Sequence, residues 1–228
     1  MTDVDGTLTD KERRLNVQAM QVIRRMTEAG IPVVLATGNV LPLALALHRF
    51  LGLASPIIAE NGGVLYHVED GHEIMERLAD RRVALAAYRR LVNAGLPVRR
   101  LFTDRWRESE VAIEEGVSEQ RIRAVLRGQP VFIENTGFAM HIMQRGAGKL
   151  PTLQRALRLI CLTPGDCLAL GDGDNDVAVL RASAWAVSFP SGSARARRAA
   201  DYVTRAEYGD GFVEAVIHAG VVPPLVSG

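Results

Sequence analysis

The chain has 228 residues, 48% of them apolar and 23% charged, with a formal net charge of +1. That is the composition of a folded protein of one large domain or two small ones, and it excludes a disordered chain. A charge so near zero gives no electrostatic footprint for nucleic acid and no polybasic membrane anchor.

Residues 1–4 read as the end of a strand. They are too few for a whole one, since a buried strand runs about five or six residues. A trimmed or mis-assigned start and weaker support for Asp3 are the expectation. No leader is read at this start, because Met1 runs directly into acidic residues. If Asp3 and Asp5 lie on a strand, alternation puts both on one face. Like charges so close call for a cation between them or a shared proton. Gly6 lets the chain turn away sharply.

Asn16 caps a helix that runs to residue 29, with Ala19, Val22, Ile23 and Met26 along one face and Gly30 as its stop. Residues 32–36 form a short apolar run, as in a strand covered on both faces, and end in Thr37-Gly38-Asn39. A helix over 41–51 and a strand over 56–59 follow, the strand ending in Glu60-Asn61-Gly62-Gly63. The alternation predicts βαβ units with a parallel sheet. No span is read in residues 40–53, which are too few and carry His48 and Arg49.

The texture then changes. Residues 64–67 and 73–77 flank a hairpin turn at Glu69-Asp70-Gly71. A helix over 81–93, a half-exposed strand at 111–113, a helix over 118–126 and a strand pair at 131–134 and 138–143 complete this stretch. It predicts an α+β unit, residues 64–145, inserted into an α/β core of residues 1–63 and 146–228. In the second core segment the pattern predicts helices over 150–160, 177–181, 194–200 and 212–218. It predicts strands over 167–170, 185–188 and 202–203, and a loose tail at 223–228. Cys161 and Cys167 have no metal-ligand spacing and are too few to staple such a fold, which suits a reducing cytoplasm.

Four polar groups fall at predicted strand ends: Asp3 with Asp5, Thr37-Gly38-Asn39, Glu60-Asn61-Gly62, and the run Asp172 to Asp176. Ligands of open α/β sheets sit outside the carboxyl ends of the strands. The acidic members make an all-oxygen set suited to Mg²⁺, and no His or Cys stands among them to suggest zinc. Lys149, one of only two lysines, begins a helix after Gly146-Ala147-Gly148, where an anion is favoured. A metal, a lysine, a Thr hydroxyl and open amides together suit phosphoryl transfer. The blander readings are a helix cap for Thr37, a structural turn at residues 60–62 and an exposed loop lysine. A P-loop fails, because Met143 stands at the first glycine position and Leu150 follows Lys149. An EF-hand fails at Ser183. Trp106, Trp185 and His141 read as packing.

Asp3-Val4-Asp5-Gly6-Thr7, Thr37-Gly38-Asn39, Lys149 and Gly171-Asp172-Gly173-Asp174-Asn175-Asp176 resemble, in order, the four motifs of the haloacid dehalogenase-type phosphatases. The insert between the second and third motifs resembles the C2-type cap of the Cof-like branch, and the first motif looks most like the archaeal phosphoglycolate phosphatases. The resemblance implies a Rossmann-like parallel-sheet core with an α+β cap. It implies Asp3 as nucleophile and Asp5 as general acid and base. It implies Mg²⁺ held by Asp3, the backbone carbonyl of Asp5, Asp172 and Asp176. Thr37, Gly38, Asn39, Lys149 and Asn175 would bind the phosphorylated metabolite.

The implied substrate is 2-phosphoglycolate, with sugar phosphates of the sucrose-phosphate or mannosyl-phosphoglycerate kind as the alternative. Arg105, Arg107 and Ser109 are candidates for a substrate carboxylate, or else an exposed basic turn. A phospho-accepting signalling module is the reading from another class. Against it stand Asp5, two residues after the nucleophile, and the long insert. Oligomeric state is not legible, and a homodimer paired through the insert's apolar surface is left open.

Overall fold

The structure, a computed structural model, describes residues 1–221, so the tail read at 223–228 lies outside the described residues. The chain opens without a regular strand. Thr2 forms single parallel bridges to Leu35 on one side and to Leu170 on the other. The helix α1 (Val17–Glu28) is capped as its sequence predicts, with Asn16 Oδ1 accepting from Ala19 N at 2.9 Å. Ala19, Val22, Ile23 and Met26 are its buried face.

Strand β1 (Leu35–Ala36) is shorter than the apolar run that predicts it. Helix α2 (Leu41–Phe50) leads to β2 (Ile57–Ala59), which pairs with β1 in parallel. Strands β3 (Val64–Glu69) and β4 (His72–Arg77) form the predicted hairpin, with Asp70 and Gly71 both at positive φ in its turn. The hairpin does not start a new unit. β3 pairs antiparallel with β2, so both strands extend the first sheet, which differs from the division expected at residue 63. The reason is sequence-local: only four residues separate the ends of β2 and β3, too few for a crossover to a parallel neighbour.

The second sheet follows α3 (Arg81–Asn93). It is built from β5 (Val111–Ile113), β6 (Val131–Asn135) and β7 (Met140–Gln144), in the order β5-β7-β6, with α4 (Glu119–Val125) between β5 and β6. β5 is fully buried, not half-exposed; the acid before it, Glu110, is itself buried among partners described below. Val111, Ile113, Val131, Ile133, Met140 and Ile142 face α3 and α4 in one core. Side chains alternate across a strand, so Glu134 and His141, which pair in register, lie on the other face.

The chain then returns to the first sheet through α5 (Lys149–Leu159), β8 (Leu168–Leu170), α6 (Val177–Ala182), β9 (Trp185–Ser188), α7 (Ala194–Ala199), β10 (Tyr202–Val203) and α8 (Tyr208–His218). α8 begins earlier than its sequence suggests. Gly209 and Gly211 argue against a helix by propensity, but here a Cβ on Gly209 would strike Asn16 and one on Gly211 would strike Phe189. Close packing, not flexibility, is their use.

Strands β8, β9 and β10 are parallel neighbours. Through Thr2 they join the other four strands, giving the order β4-β3-β2-β1-Thr2-β8-β9-β10. Two cores cover this sheet. Val22, Ile23, Phe212 and Val216 pack with Leu35 and Leu170 on one face. Leu153, Leu157, Val179 and Leu180 pack with Ala36 and Ala169 on the other. Each of the Val, Leu, Ile and Phe side chains contributes about 1.5–3 kcal/mol by leaving water. The result is an α/β core with parallel strands and helices on both faces, carrying an α+β insert. No helix of the described residues is long and apolar enough to cross a membrane.

Candidate active site

The groups that the sequence places at strand ends meet at one edge of the sheet. Asp3 N donates to Leu170 O at 3.0 Å, which is the last rung before the chain turns away. Asp3 is buried, and its Oδ1 accepts from Lys149 Nζ at 2.8 Å. The same ammonium donates to Asp176 Oδ1 at 2.7 Å. Asp172, at the end of β8, takes the hydroxyl of Thr7 at 3.2 Å. Carboxylate oxygens of Asp3, Asp172 and Asp176 all lie within 4.8 Å of one another.

The backbone is shaped around these acids. A Cβ on Gly6, which has φ +77°, would collide with Asp172, and one on Gly171 would collide with Asp176. Gly173 N donates to Asp176 Oδ2 at 3.0 Å. Lys149 has no exposed side-chain area. Burial alone would lower its pKa, but Asp176 and Asp3 outweigh burial and hold it above the usual lysine range. Burial raises Asp3 well above the carboxylate range despite Lys149. Burial, with Asp176 beside it, lifts Asp172 to about 7. Three acids against one lysine leave an excess of negative charge and only oxygen donors.

Asp5 stands apart from this set. The strand pairing ends at Asp3, and Asp5 has partners of its own. Its Oδ1 accepts from Arg13 Nε at 2.8 Å and its Oδ2 from Asn39 Nδ2 at 2.5 Å. Lys149 bridges Asp3 and Asp176. Asp5 lines the same cleft as Asp3 and Asp172.

Thr37 is buried at the end of β1. Its hydroxyl oxygen accepts from Asn39 N at 3.0 Å and from Asn39 Nδ2 at 3.1 Å. Both lone pairs are then engaged, which leaves the hydroxyl proton to donate. Gly38 and Asn39 line the cleft. Asn175 Nδ2 donates to Asn61 Oδ1 at 2.9 Å.

Residues 60–62 are more than a turn. Glu60 and Asn61 hold φ of 52° and 54°, a conformation that few residues other than glycine adopt. Glu60 is buried and accepts from Ser109 N at 2.9 Å, Ser109 Oγ at 2.6 Å and Glu108 N at 2.9 Å. Its pKa is raised by burial and by nearby Glu110. Asn61 Nδ2 donates to Glu110 Oε2 at 3.2 Å. Glu110 in turn accepts from His141 Nδ1 at 2.7 Å and from Arg107. Burial pushes Glu110 up, but His141 and Arg107 outweigh it and hold the carboxyl below its usual range. His141 thus belongs to a polar network that reaches the cleft, not to the apolar packing that its sequence context suggests. Arg13 and Glu110 carry no sequence motif. Only the paired left-handed residues before Gly62 hint that something docks there.

A family model described as haloacid dehalogenase-like hydrolase matches residues 1–106 and 108–216. The chain is 37% identical over 214 residues to a phosphoglycolate phosphatase of Methanothermobacter thermautotrophicus, covering 94% of this chain and 95% of the relative. It is 38% identical over 221 residues to a phosphoglycolate phosphatase of Methanoculleus marisnigri, covering 95% and 94%. Among solved structures, a Thermoplasma acidophilum protein superposes with a TM-score of 0.87 at 24% identity, covering 97% of each chain. A haloacid dehalogenase-like hydrolase from Bacteroides thetaiotaomicron does so with a TM-score of 0.76 at 21% identity, covering 96% and 97%.

Proposed function

Because this chain belongs to the haloacid dehalogenase-like hydrolases and is a phosphatase, we propose that it hydrolyses 2-phosphoglycolate through a covalent intermediate on Asp3. The observation that carries this is the meeting of Asp3, Asp172 and Asp176 around Lys149, beside a Thr37 hydroxyl with its proton to give. The substrate follows the names of the curated relatives.

An all-carboxylate set with excess negative charge, in a backbone opened by Gly6 and Gly171, fits a hard divalent cation. Asp3, Asp172, Asp176 and the backbone carbonyl of Asp5 would hold it, and Mg²⁺ is the ion proposed. When bound, it supplies the positive charge that lets a phosphoryl dianion approach these acids.

The chain's own groups do the rest. Asp3 attacks phosphorus, which splits the hydrolysis into two displacements. Lys149 neutralises charge on Asp3 and on the phosphoryl oxygens, and Thr37 donates its hydroxyl to one of them. Asp5, fixed by Arg13 and Asn39, gives a proton to the leaving alkoxide. It then takes one from the water that frees Asp3. The insert roofs the cleft through Asn135, Thr136, Phe138 and His141 and limits bulk water. Two free cysteines, one exposed and one buried, suit a reducing compartment.

The test is phosphate release from 2-phosphoglycolate, with Mg²⁺ or with EDTA, by this chain and its Asp3→Asn variant. Metal-dependent release that disappears in Asp3→Asn is the expected result. Release that survives Asp3→Asn would overturn the assignment of the nucleophile.

A further inference from the structure

The proposed chemistry leaves two cations of the cleft without a use, Lys11 and Arg107; Lys11 is exposed and pairs with Glu12 at 3.5 Å. Arg107 comes from the insert and is only 4% exposed, yet it lines the cleft that contains Asp3. Its Nη1 donates to Gly38 O at 3.0 Å and to Glu110. Among the described residues, neither Nε nor Nη2 has a hydrogen-bond partner, and Nε is buried. A buried N–H without a partner is rare and calls for one. Nε and Nη2 form one edge of the guanidinium, the edge that takes a carboxylate at two points.

The other arginine of the cleft offers no such edge. Arg13 spends Nε on Asp5 and places Nη2 against Asn39 Oδ1 at 3.4 Å. The remaining candidates from the same segment are also committed. Arg105 lies over the rings of Phe102 and Trp106, outside this cleft. Ser109 is held by Glu60. Placement sets the reach: Arg107 touches the carbonyl of Gly38, the residue after the Thr37 that would hold the phosphoryl group. A ligand bridging the two has a phosphate at one end and an anion a few bonds away.

We propose that the Nε–Nη2 edge of Arg107 grips the carboxylate of the substrate and selects short phosphorylated acids over uncharged phosphomonoesters. This rests on the phosphatase reading above and adds a specificity-determining residue to it. Glu110 serves as the positioning group: it compensates the guanidinium charge and fixes its other edge.

The experiment compares 2-phosphoglycolate with ethyl phosphate, which lacks the carboxylate, for the wild type, Arg107→Gln and Arg107→Lys. The expected result is a wild-type preference for 2-phosphoglycolate. In both variants the ratio of the two kcat/KM values should fall about 100-fold, carried by KM, because a two-point charged contact is lost. Arg107→Lys keeps the charge beside Glu110 and loses the fork, so it reads the proposal even if Arg107→Gln does not fold. Equal losses on both substrates would mean that Arg107 only braces the insert, and would overturn the proposal. Wild-type turnover of both esters without preference overturns it too, while the phosphatase reading stands. Turnover of neither ester overturns both.

Discussion

Asn175 Nδ2 donates to Asn61 Oδ1 at 2.9 Å, joining the acidic loop after β8 to the left-handed turn after β2. Asn61 passes the connection on to Glu110 in the insert. Asn61→Ala removes both bonds and puts a Cβ-bearing residue without a compensating amide at φ 54°. The expected loss is about 2–4 kcal/mol. Asn61→Gly loses the same bonds without the backbone cost and should be milder by about 1 kcal/mol. Urea denaturation of the two variants checks the difference.

Lys149→Met leaves Asp3, Asp172 and Asp176 with no cation among the described side chains that bond them. In EDTA the variant should lose about 3–5 kcal/mol, the usual cost of an uncompensated buried charge. Added Mg²⁺ should recover part of it, so the Mg²⁺-induced rise in Tm should exceed that of the wild type. Turnover should fall by about 10²–10³-fold, as for other lost transition-state stabilisers. Thermal melts with and without EDTA, beside a phosphate-release assay, measure both effects.

Glu134 gives a pH signature. Burial, with Asp174 nearby, lifts its carboxyl from an ordinary 4.5 to about 7. The folded chain therefore holds more protons than the unfolded chain between those values. The favourable contribution is complete below pH 4.5 and is lost as pH rises through 7. In EDTA, wild-type stability relative to Glu134→Gln should fall between pH 5 and pH 7.5. Parallel urea midpoints across that range would count against the assignment.

Gly62 sits at φ +95°, and a Cβ there would run into the carbonyl of Gly148. That carbonyl belongs to the residue before Lys149. Gly62→Ala should therefore cost about 2–3 kcal/mol through backbone strain and displacement, and it should lower turnover by moving Lys149. Gly30→Ala, at φ +75° with open space around it, isolates the backbone part alone. Comparing Tm and kcat for the two separates strain from displacement.

Much of this was legible because periodicity and caps agreed. Asn16 and the spacing of Ala19, Val22, Ile23 and Met26 located α1. Short apolar runs located β1, β2 and β8; the groups after β1 and β8 line the cleft, and the one after β2 bonds to it through Asn175. Tertiary contacts hid the rest. No local pattern shows that residues 64–77 pair back onto β2, since a hairpin reads alike on either sheet. Gly209 and Gly211 argue against a helix that packing requires. His141 and Glu110 look like ordinary strand residues until the fold pairs them with each other and brings Asn61, from the turn after β2, and nearby Arg107 to Glu110. Asp3 and Asp5 line one cleft, although the strand pairing itself ends at Asp3.

Thr2 is where the two halves of the sheet meet. Its N–H and C=O are taken by Val34 and Ala36, while Asp3 N and Met1 O are taken by Leu170. Residues 1–3 are thus the keystone of a sheet whose other flank is made more than 160 residues later. Such a pairing has a long closure distance and is slow to form. The nascent chain carries its proposed nucleophile unhoused through most of synthesis, because Lys149, Asp172 and Asp176 also arrive late. Catalytic competence then reports completed translation and folding. Chains released before β8 should possess no trace of it, however well α1 to β4 have already condensed.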